Sequence, residues 1–338
     1  MRCRSMWQTV GQDRAVAALQ RGLAQGRQAH AYLFVGPPQV GKGTLALELA
    51  QALNCDGPEP PCGECTPCRR IAGGIHADVQ VVTVETGDGG PHKDISIDQI
   101  REVGRTVSLR PFEGRCRVII IDPADAMNEA AQNAFLKTLE EPPPDVVFVL
   151  ITSRPRAMRA TIRSRCQQFE FSSLPVAKLE EALRERWSVA PRQAQLLARL
   201  SRGRLGWAIA ARRDEEMMRV RHEALVDIRS LPERTIQDRF AYASEVAGRF
   251  SRDRVTVMAV LDLWREWWRD VLLASSGGQD AITNLDLGDI LKAEADRYEP
   301  GQVIAFLRSL AASKRRLEEN VNPRLALEVL MLDLPTPR

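Results

Sequence analysis

At 338 residues the chain is long enough for two or three domains, and its 44% apolar and 27% charged residues are those of a globular protein. The balance of 47 Lys and Arg against 44 Asp and Glu leaves +3, which argues against a chain that grips nucleic acid unaided through a large positive field. No apolar run approaches the roughly 20 residues of a membrane span, Met1–Trp7 lacks the apolar core of a signal peptide, and the expected location is the cytoplasm; the seven cysteines then need an explanation other than structural disulfides.

In chain order, Trp7-Gln8-Thr9-Val10-Gly11-Gln12 is a short turn-bearing segment, and Val16, Leu19 and Leu23 follow at the spacing of one helical face. Ala31-Tyr32-Leu33-Phe34-Val35 reads as a buried strand. It runs into Gly36-Pro37-Pro38-Gln39-Val40-Gly41-Lys42-Gly43-Thr44 and then into Leu45–Ala50, which has helical spacing and good helix formers. Strand, Gly-rich loop and helix form the context of a phosphate-binding loop. The glycines turn backbone N–H groups toward a phosphate, the helix N-terminus adds its dipole, and Lys42 supplies a mobile positive charge. An ordinary Gly/Pro turn is the alternative; the lysine in register and the correct flanks weigh against it. The nucleotide-contacting set expected here is Gly36, Gly41, Lys42, Gly43 and Thr44.

This loop departs from an active one. After Gly-Lys an active loop carries Ser or Thr, whose hydroxyl ligates Mg²⁺. Gly43 holds that position, and Thr44 comes one residue late, about 100° round the helix, so it should point away from a metal. Gln39 also stands where many such loops have a further glycine. The expectation is a loop that holds a phosphate and orients Mg²⁺ poorly.

Cys55, Cys62, Cys65 and Cys68 follow within a Pro- and Gly-rich stretch. Two overlapping Cys-x-x-Cys steps plus a fourth thiol nearby can close a tetrahedral Zn²⁺ site, and Gly63 can relieve a tight thiolate turn. Free thiols or a redox pair are the alternative. With no open ligand position evident, the site reads as structural zinc. Cys3, Cys116 and Cys166 are dispersed and do not read as ligands.

Val79–Val84 reads as a strand, 86–93 as a flexible Gly- and Asp-rich loop, and Ile97, Ile100, Val103 and Val107 mark a helix that ends before Pro111. Arg117-Val118-Ile119-Ile120-Ile121-Asp122 is an apolar run of the kind buried on both faces of a parallel sheet. An aspartate at its carboxyl end can face a Mg²⁺ held at the phosphate loop, or can simply start the turn before Pro123. An ATPase of this type needs a Glu directly after that Asp to polarise water. Proline cannot serve as a base, so two catalytic positions are missing and both point away from hydrolysis.

Ala131-Gln132-Asn133-Ala134-Phe135-Leu136-Lys137-Thr138-Leu139-Glu140-Glu141-Pro142-Pro143, Phe148-Val149-Leu150-Ile151-Thr152 and Thr161-Ile162-Arg163-Ser164-Arg165-Cys166-Gln167 together resemble the bacterial sliding-clamp loader subunits, the AAA+ family of the DNA polymerase III holoenzyme. The resemblance extends to Trp7–Gln12, to the four-cysteine insert and to Asn320-Val321-Asn322-Pro323-Arg324-Leu325-Ala326-Leu327-Glu328, and so covers nearly the whole chain. Members that act as motors (gamma/tau) carry Lys-Thr and Asp-Glu in the two positions above. Delta-prime-type members depart from them, and Asp122-x-Ala124-Asp125-x-Met127-Asn128 is similar to their version.

The resemblance implies an α/β fold, a P-loop AAA+ core with a parallel sheet over 1–172 carrying the 55–68 zinc insert, a helical lid over 173–211 and an all-α collar over 212–338. It implies that Arg165 reaches toward ATP on a neighbouring subunit, and that Thr152 occupies the polar γ-phosphate sensor position; a surface arginine in an Arg-rich stretch and a plain strand-end threonine are the alternatives. In the lid, Trp207 stands where active relatives often carry a nucleotide-contacting arginine, with Arg204 as a conceivable substitute. In the collar, Trp264, Trp267 and Trp268 cover too much of the helix circumference for one buried face, so an interface role for some of them competes with core packing.

The function expected is that of a delta-prime-type subunit working with gamma/tau and delta subunits in a hetero-pentamer, with the sliding clamp and, through the assembly, with primed DNA, and with no membrane. ATP binding through the loop is compatible with this, and hydrolysis by the chain itself is not expected. An ATP-hydrolysing gamma/tau-type motor and a zinc-dependent nucleic-acid-binding module are the competing readings.

Overall fold

The structure, a computed structural model, describes residues 7–87, 90, 91, 94–319 and 321–338; Cys3, part of the 86–93 loop and Asn320 lie outside the described residues. The chain divides into two compact units, Met1–Ala182 with Arg202–Trp207, and Leu183–Ser201 with Ala208–Arg338.

The first unit begins with α1 (Asp13–Ala24), β1 (Ala31–Val35), α2 (Lys42–Asn54) and α3 (Thr66–Ala72). Next come β2 (Val79–Val82), the two-residue pair β3 (Thr86–Gly87) and β4 (Gly90–Pro91), α4 (Ile97–Val107), β5 (Arg117–Ile121) and α5 (Glu129–Glu140). β6 (Val146–Thr152), the short α6 (Ala160–Arg163) and β7 (Gln167–Glu170) complete the sheet, and α7 (Val176–Trp187) leaves it. Five strands lie in the order β2-β5-β6-β1-β7, all parallel. The apolar runs read in the sequence become strands covered on both faces: every residue of β5 and β6 is buried.

Because side chains alternate across a strand, each run feeds two cores. Tyr32, Phe34, Val118, Ile120, Val149 and Ile151 face α1 and α2. Leu33, Ile119, Ile121, Phe148 and Leu150 face α4 and α5. Helix starts follow local chemistry. Ser96 and Gln99 form a reciprocal capping box on α4, and the Asn128 side chain accepts from Ala131 N at 2.8 Å on α5. α2 starts at Lys42 itself, three residues before the sequence periodicity begins, with Gly41 at φ +103 turning the chain into it.

The second unit is helical: α8 (Pro191–Leu200), α9 (Leu205–Arg213, which begins in the first unit), α10 (Glu215–Ser230), α11 (Ile236–Arg252), α12 (Arg254–Ser275), α13 (Gly288–Ala295), α14 (Pro300–Glu318) and α15 (Pro323–Leu332). α12 packs against α10, α11, α13 and α14 and is the axis of the core. Its three tryptophans settle the two competing expectations in favour of core packing and correct the estimate of the circumference they cover. Spacings of three and four residues place Trp264, Trp267 and Trp268 within one arc of roughly 100°, and each is only 1% exposed. Trp268 meets Tyr298 and Phe306 edge to face, and Tyr242 stacks on Trp264. They are core residues.

The segment expected as the lid, 173–211, contributes to both units. Arg199 of α8 donates through Nη1 to the Ile282 carbonyl at 2.8 Å. Gly203 O accepts from Leu174 N, and Gly206 N donates to Gln39 O, each at 2.9 Å. Among the described residues, no helix is long and apolar enough to cross a membrane.

Candidate functional site

The carboxyl ends of β1, β5 and β6 meet at one edge of the sheet, where ligands bind in open parallel sheets. Their alignment is set by register: Val35 pairs with Thr152 and Ile121 with Leu150, and Gly36 N donates to the Thr152 carbonyl at 3.1 Å. Gly36, Gly41, Lys42, Gly43, Asp122 and Thr152 are thereby gathered from three separate stretches of sequence.

Backbone contacts hold the loop. A Cβ added at Gly36 would lie 2.3 Å from the Phe171 carbonyl oxygen, so only glycine fits. Gln39 adopts φ +61, the left-handed conformation that glycine takes more easily. Gln12 buttresses the loop from the N-terminal segment, donating to Val40 O at 3.3 Å and Ser172 O at 2.8 Å. Glu48, buried on α2, accepts from Gln8 N, Thr9 N and Thr9 Oγ1 at 2.7, 3.0 and 2.8 Å. That ties down the segment whose Thr9 methyl lies over Gly41.

Lys42 is buried and its Nζ donates to the Gly36 and Pro37 carbonyls at 2.6 and 2.5 Å. Burial lowers its pKa while Asp122 and Asp125 oppose the fall. Burial raises the Asp122 carboxyl, and Asp125 adds to the rise while Lys42 counters it. The position of Gly43 is decisive. A Cβ there would sit 3.8 Å from Asp122 Oδ2, so this is the place from which a Ser or Thr hydroxyl would meet a metal beside the acid. Glycine brings no such group. Thr44 is exposed, as its helical offset requires.

Thr152 does not stand free at the end of β6. Its Oγ1 donates to Asp125 Oδ1 at 2.6 Å and accepts from Arg154 N at 3.0 Å, while Arg154 Nε donates to Asp125 Oδ2 at 2.8 Å. Asp125, with a side chain only 3% exposed, is the organising acid that the sequence reading left without a role. The signal was present in the Asp-x-Ala-Asp spacing, but the bond crosses 27 residues.

Arg165 sits on the turn after α6 and bonds elsewhere: Nη2 donates to Glu140 Oε1 at 2.8 Å and Nη1 to the Thr161 carbonyl at 3.0 Å. In the lid segment, the Arg204 guanidinium lies 5.8 Å from the Trp207 ring centre.

At the far end of α2, Cys55, Cys62, Cys65 and Cys68 place their sulfurs within 4.8 Å of one another. Four thiolates at Zn–S distances of about 2.3 Å in a tetrahedron would stand about 3.8 Å apart, and Cys55 and Cys65 Sγ are already 4.0 Å apart. Backbone N–H groups of Gly57 and Cys62 donate to Cys55 Sγ, both at 3.3 Å, and that of Cys65 to Cys62 Sγ at 3.4 Å. The N–H groups of Cys65 and Glu64 hold the Cys62 thiol down at about 6, whereas burial pushes Cys55 and Cys68 up. Gly63 takes φ +71 in the turn, and a Cβ at Gly57 would come within 2.9 Å of Cys62 Cβ. The donor set, spacing and closeness fit a tetrahedral metal ion. Cys116 and Cys166 are outside the group, their thiols pushed up to about 12 by burial.

Two family profiles match the chain: one described as DNA polymerase III, delta subunit, over residues 11–175, and one described as DNA polymerase III, delta subunit, C terminal, over 244–336. The DNA polymerase III subunit delta' of Bacillus subtilis (strain 168) is 32% identical over 324 residues, which cover 96% of each chain. The DNA polymerase III subunit tau of Escherichia coli (strain K12) is 38% identical over 208 residues, 60% of this chain and 31% of tau. Among solved structures, a DNA polymerase III gamma subunit-related protein of Thermotoga maritima aligns over 94% of this chain and 97% of its own, with 19% identity and a TM-score of 0.44. Matched from end to end at this level, with a P-loop AAA+ core leading into a helical C-terminal region, the chain belongs to the DNA polymerase III delta' family of clamp-loader subunits.

Proposed function

We propose that the chain is a clamp-loader subunit that lends catalysis to a neighbour and carries out none itself. In this reading it works in the cytoplasm with gamma/tau and delta subunits in a hetero-pentamer that opens the sliding clamp and sets it on primed DNA. The layout is an AAA+ core over 1–172, a lid over 173–211 and an oligomerising collar over 212–338. Arg165 approaches ATP bound on the adjacent motor subunit, where a guanidinium offsets charge on the transferring γ-phosphoryl group.

The observation that carries the reading is Gly43 facing Asp122 across 3.8 Å from its Cβ position, with Pro123 following the acid. The loop keeps the backbone and the lysine that hold a phosphate, but lacks the hydroxyl that fixes Mg²⁺ and the carboxylate that activates water. Loss of a positioned acid–base group alone commonly costs 10²- to 10⁴-fold. Gly36, Gly41, Lys42 and the loop N–H groups remain able to bind nucleotide. Zinc, bound by Cys55, Cys62, Cys65 and Cys68, ties the insert into one tetrahedral node and has no open position for chemistry.

The test is steady-state ATP turnover and equilibrium ATP binding by the purified chain, alone and with its motor subunit. The expected result is no turnover alone and stimulation in the mixture that Arg165→Ala abolishes. Substantial Mg²⁺-dependent turnover by the isolated chain would replace this reading with that of a motor subunit.

A further inference from the structure

Two of the signatures read in the sequence, Leu139-Glu140-Glu141-Pro142-Pro143 and Ser164-Arg165-Cys166, meet in the structure through one ion pair. Arg165 Nη2 donates to Glu140 Oε1 at 2.8 Å, and Nη1 donates to Thr161 O at 3.0 Å. Each terminal nitrogen therefore has an acceptor on its own chain. Of the five N–H donors of a guanidinium, three remain for another group.

Glu140 is the last residue of α5, at the end of a helix where the backbone dipole disfavours a carboxylate. The pair is also exposed, with 36% of the Arg165 side chain and 52% of the Glu140 side chain accessible, and such pairs add little to stability. A carboxylate at an unfavourable helix end, in a pair that stabilises little, points to a task other than holding the fold.

We propose that Glu140 is a positioning residue for Arg165: together with the Thr161 carbonyl it fixes the plane of the guanidinium and turns the three remaining donors outward, toward phosphate oxygens on a neighbouring chain. This rests on the reading of Arg165 as the arginine acting in trans. A flexible arginine loses side-chain freedom when it engages a phosphate, whereas one already anchored at both terminal nitrogens has lost it beforehand. The benefit falls on the rate of the bound complex, because positioning acts after ATP is in place. Glu140 ends α5, which packs against α4 and α6, and Arg165 lies on the turn just beyond α6.

The experiment uses the full assembly with wild-type motor subunits, clamp and primed DNA, and reads the steady-state ATPase. Glu140→Ala is expected to lower kcat about tenfold with KM for ATP unchanged, since misplacement by about an ångström can cost up to 10²-fold. Glu140→Gln, whose amide oxygen still accepts from Nη2, should stay within about threefold of wild type on the same ground. Glu140→Ala combined with Arg165→Ala should be no slower than Arg165→Ala alone, because Glu140 acts only through the arginine. A wild-type rate for Glu140→Ala, or a double variant slower than Arg165→Ala by the full Glu140→Ala factor, overturns the proposal. Where Glu140→Ala does not assemble, Glu140→Asp, which withdraws the carboxylate by one methylene, is read by the same criteria. If Arg165→Ala itself leaves the rate unchanged, the trans-acting arginine fails, which is a different result from Glu140 failing alone.

Discussion

Helix α2 carries a ligand-type loop at each end, and the two have been treated differently. At its start, the Gly36–Thr44 loop keeps a fixed backbone path, held by Phe171, Gln12 and Gly206, yet Gly43 offers nothing to a metal. At its finish, Cys55 begins a set of four thiols whose sulfurs lie within 4.8 Å of one another, with N–H groups already directed at them. A loop's shape and its chemistry are therefore separable. Shape is maintained by contacts with the rest of the core and survives the loss of one hydroxyl, whereas a closed metal site depends on all four ligands and tolerates no such loss.

The largest effect should come from the finish of α2. Removing metal with a strong chelator, or Cys68→Ser, should destabilise the first unit by several kcal/mol, since structural zinc in small sites contributes on the order of 10 kcal/mol of apparent binding energy. Metal analysis and thermal unfolding read this. A chelated protein with an unchanged melting temperature would break the contrast between the two ends.

At the start of α2, Gly36→Ala should cost about 3 kcal/mol, because its methyl group meets backbone rather than a yielding side chain. An unchanged denaturant midpoint would show that the loop's shape is not held as described.

The network beside the cysteine end gives a pH test of similar size. Asp78 is buried, and burial pushes its carboxyl up. The N–H groups of Phe112, Glu113 and Gly114, each at 2.8 Å, and Arg117 at 2.9 Å outweigh that and hold it down at about 2. A carboxyl depressed in the folded state contributes stability that is complete above its ordinary value of about 4 and is lost as pH falls toward 2. Asp78→Asn should cost about 3 kcal/mol at neutral pH, where it breaks a buried pair. It should also flatten the acid limb of the stability curve. A variant with the wild-type acid limb would remove Asp78 from the account.

The smallest effect sharpens the comparison most. Gly43→Ser restores a hydroxyl beside Asp122 without disturbing the loop, and should make nucleotide binding Mg²⁺-dependent and about tenfold tighter, or roughly 1.4 kcal/mol. Turnover should stay absent while Pro123 remains. Calorimetry with and without Mg²⁺ decides this, and equal affinities would mean that the shape is less intact than the backbone implies.

Much of this was legible in the sequence because it depends on local pattern. Ala31–Val35 and Arg117–Ile121 announce buried strands by composition, Gly43 and Pro123 announce their deficits by position, and the cysteine spacing announces its cluster. The unread part is made of bonds between residues far apart. Asp125 reaching Thr152, Glu48 holding Gln8 and Thr9 across about 40 positions, and Arg117 meeting Asp78 leave no periodicity to detect. The tryptophans of α12 bear out core packing over an interface role; only the estimate of the circumference they cover misleads, because spacings of three and four fall on one arc, and neighbours on several sides enclose that arc.

The way the chain is shared between its two units has a practical corollary for dissecting it. The backbone passes from one unit to the other three times, after Ala182, after Ser201 and after Trp207. No single cut separates them. A fragment that stops at Ala182 omits Gly203 and Gly206, leaving the Leu174 N–H and the Gln39 carbonyl without their partners, the latter within the phosphate loop itself. Splitting this protein into halves that each fold will require the six residues Arg202–Trp207 to be grafted back onto the first, a splice rather than a truncation.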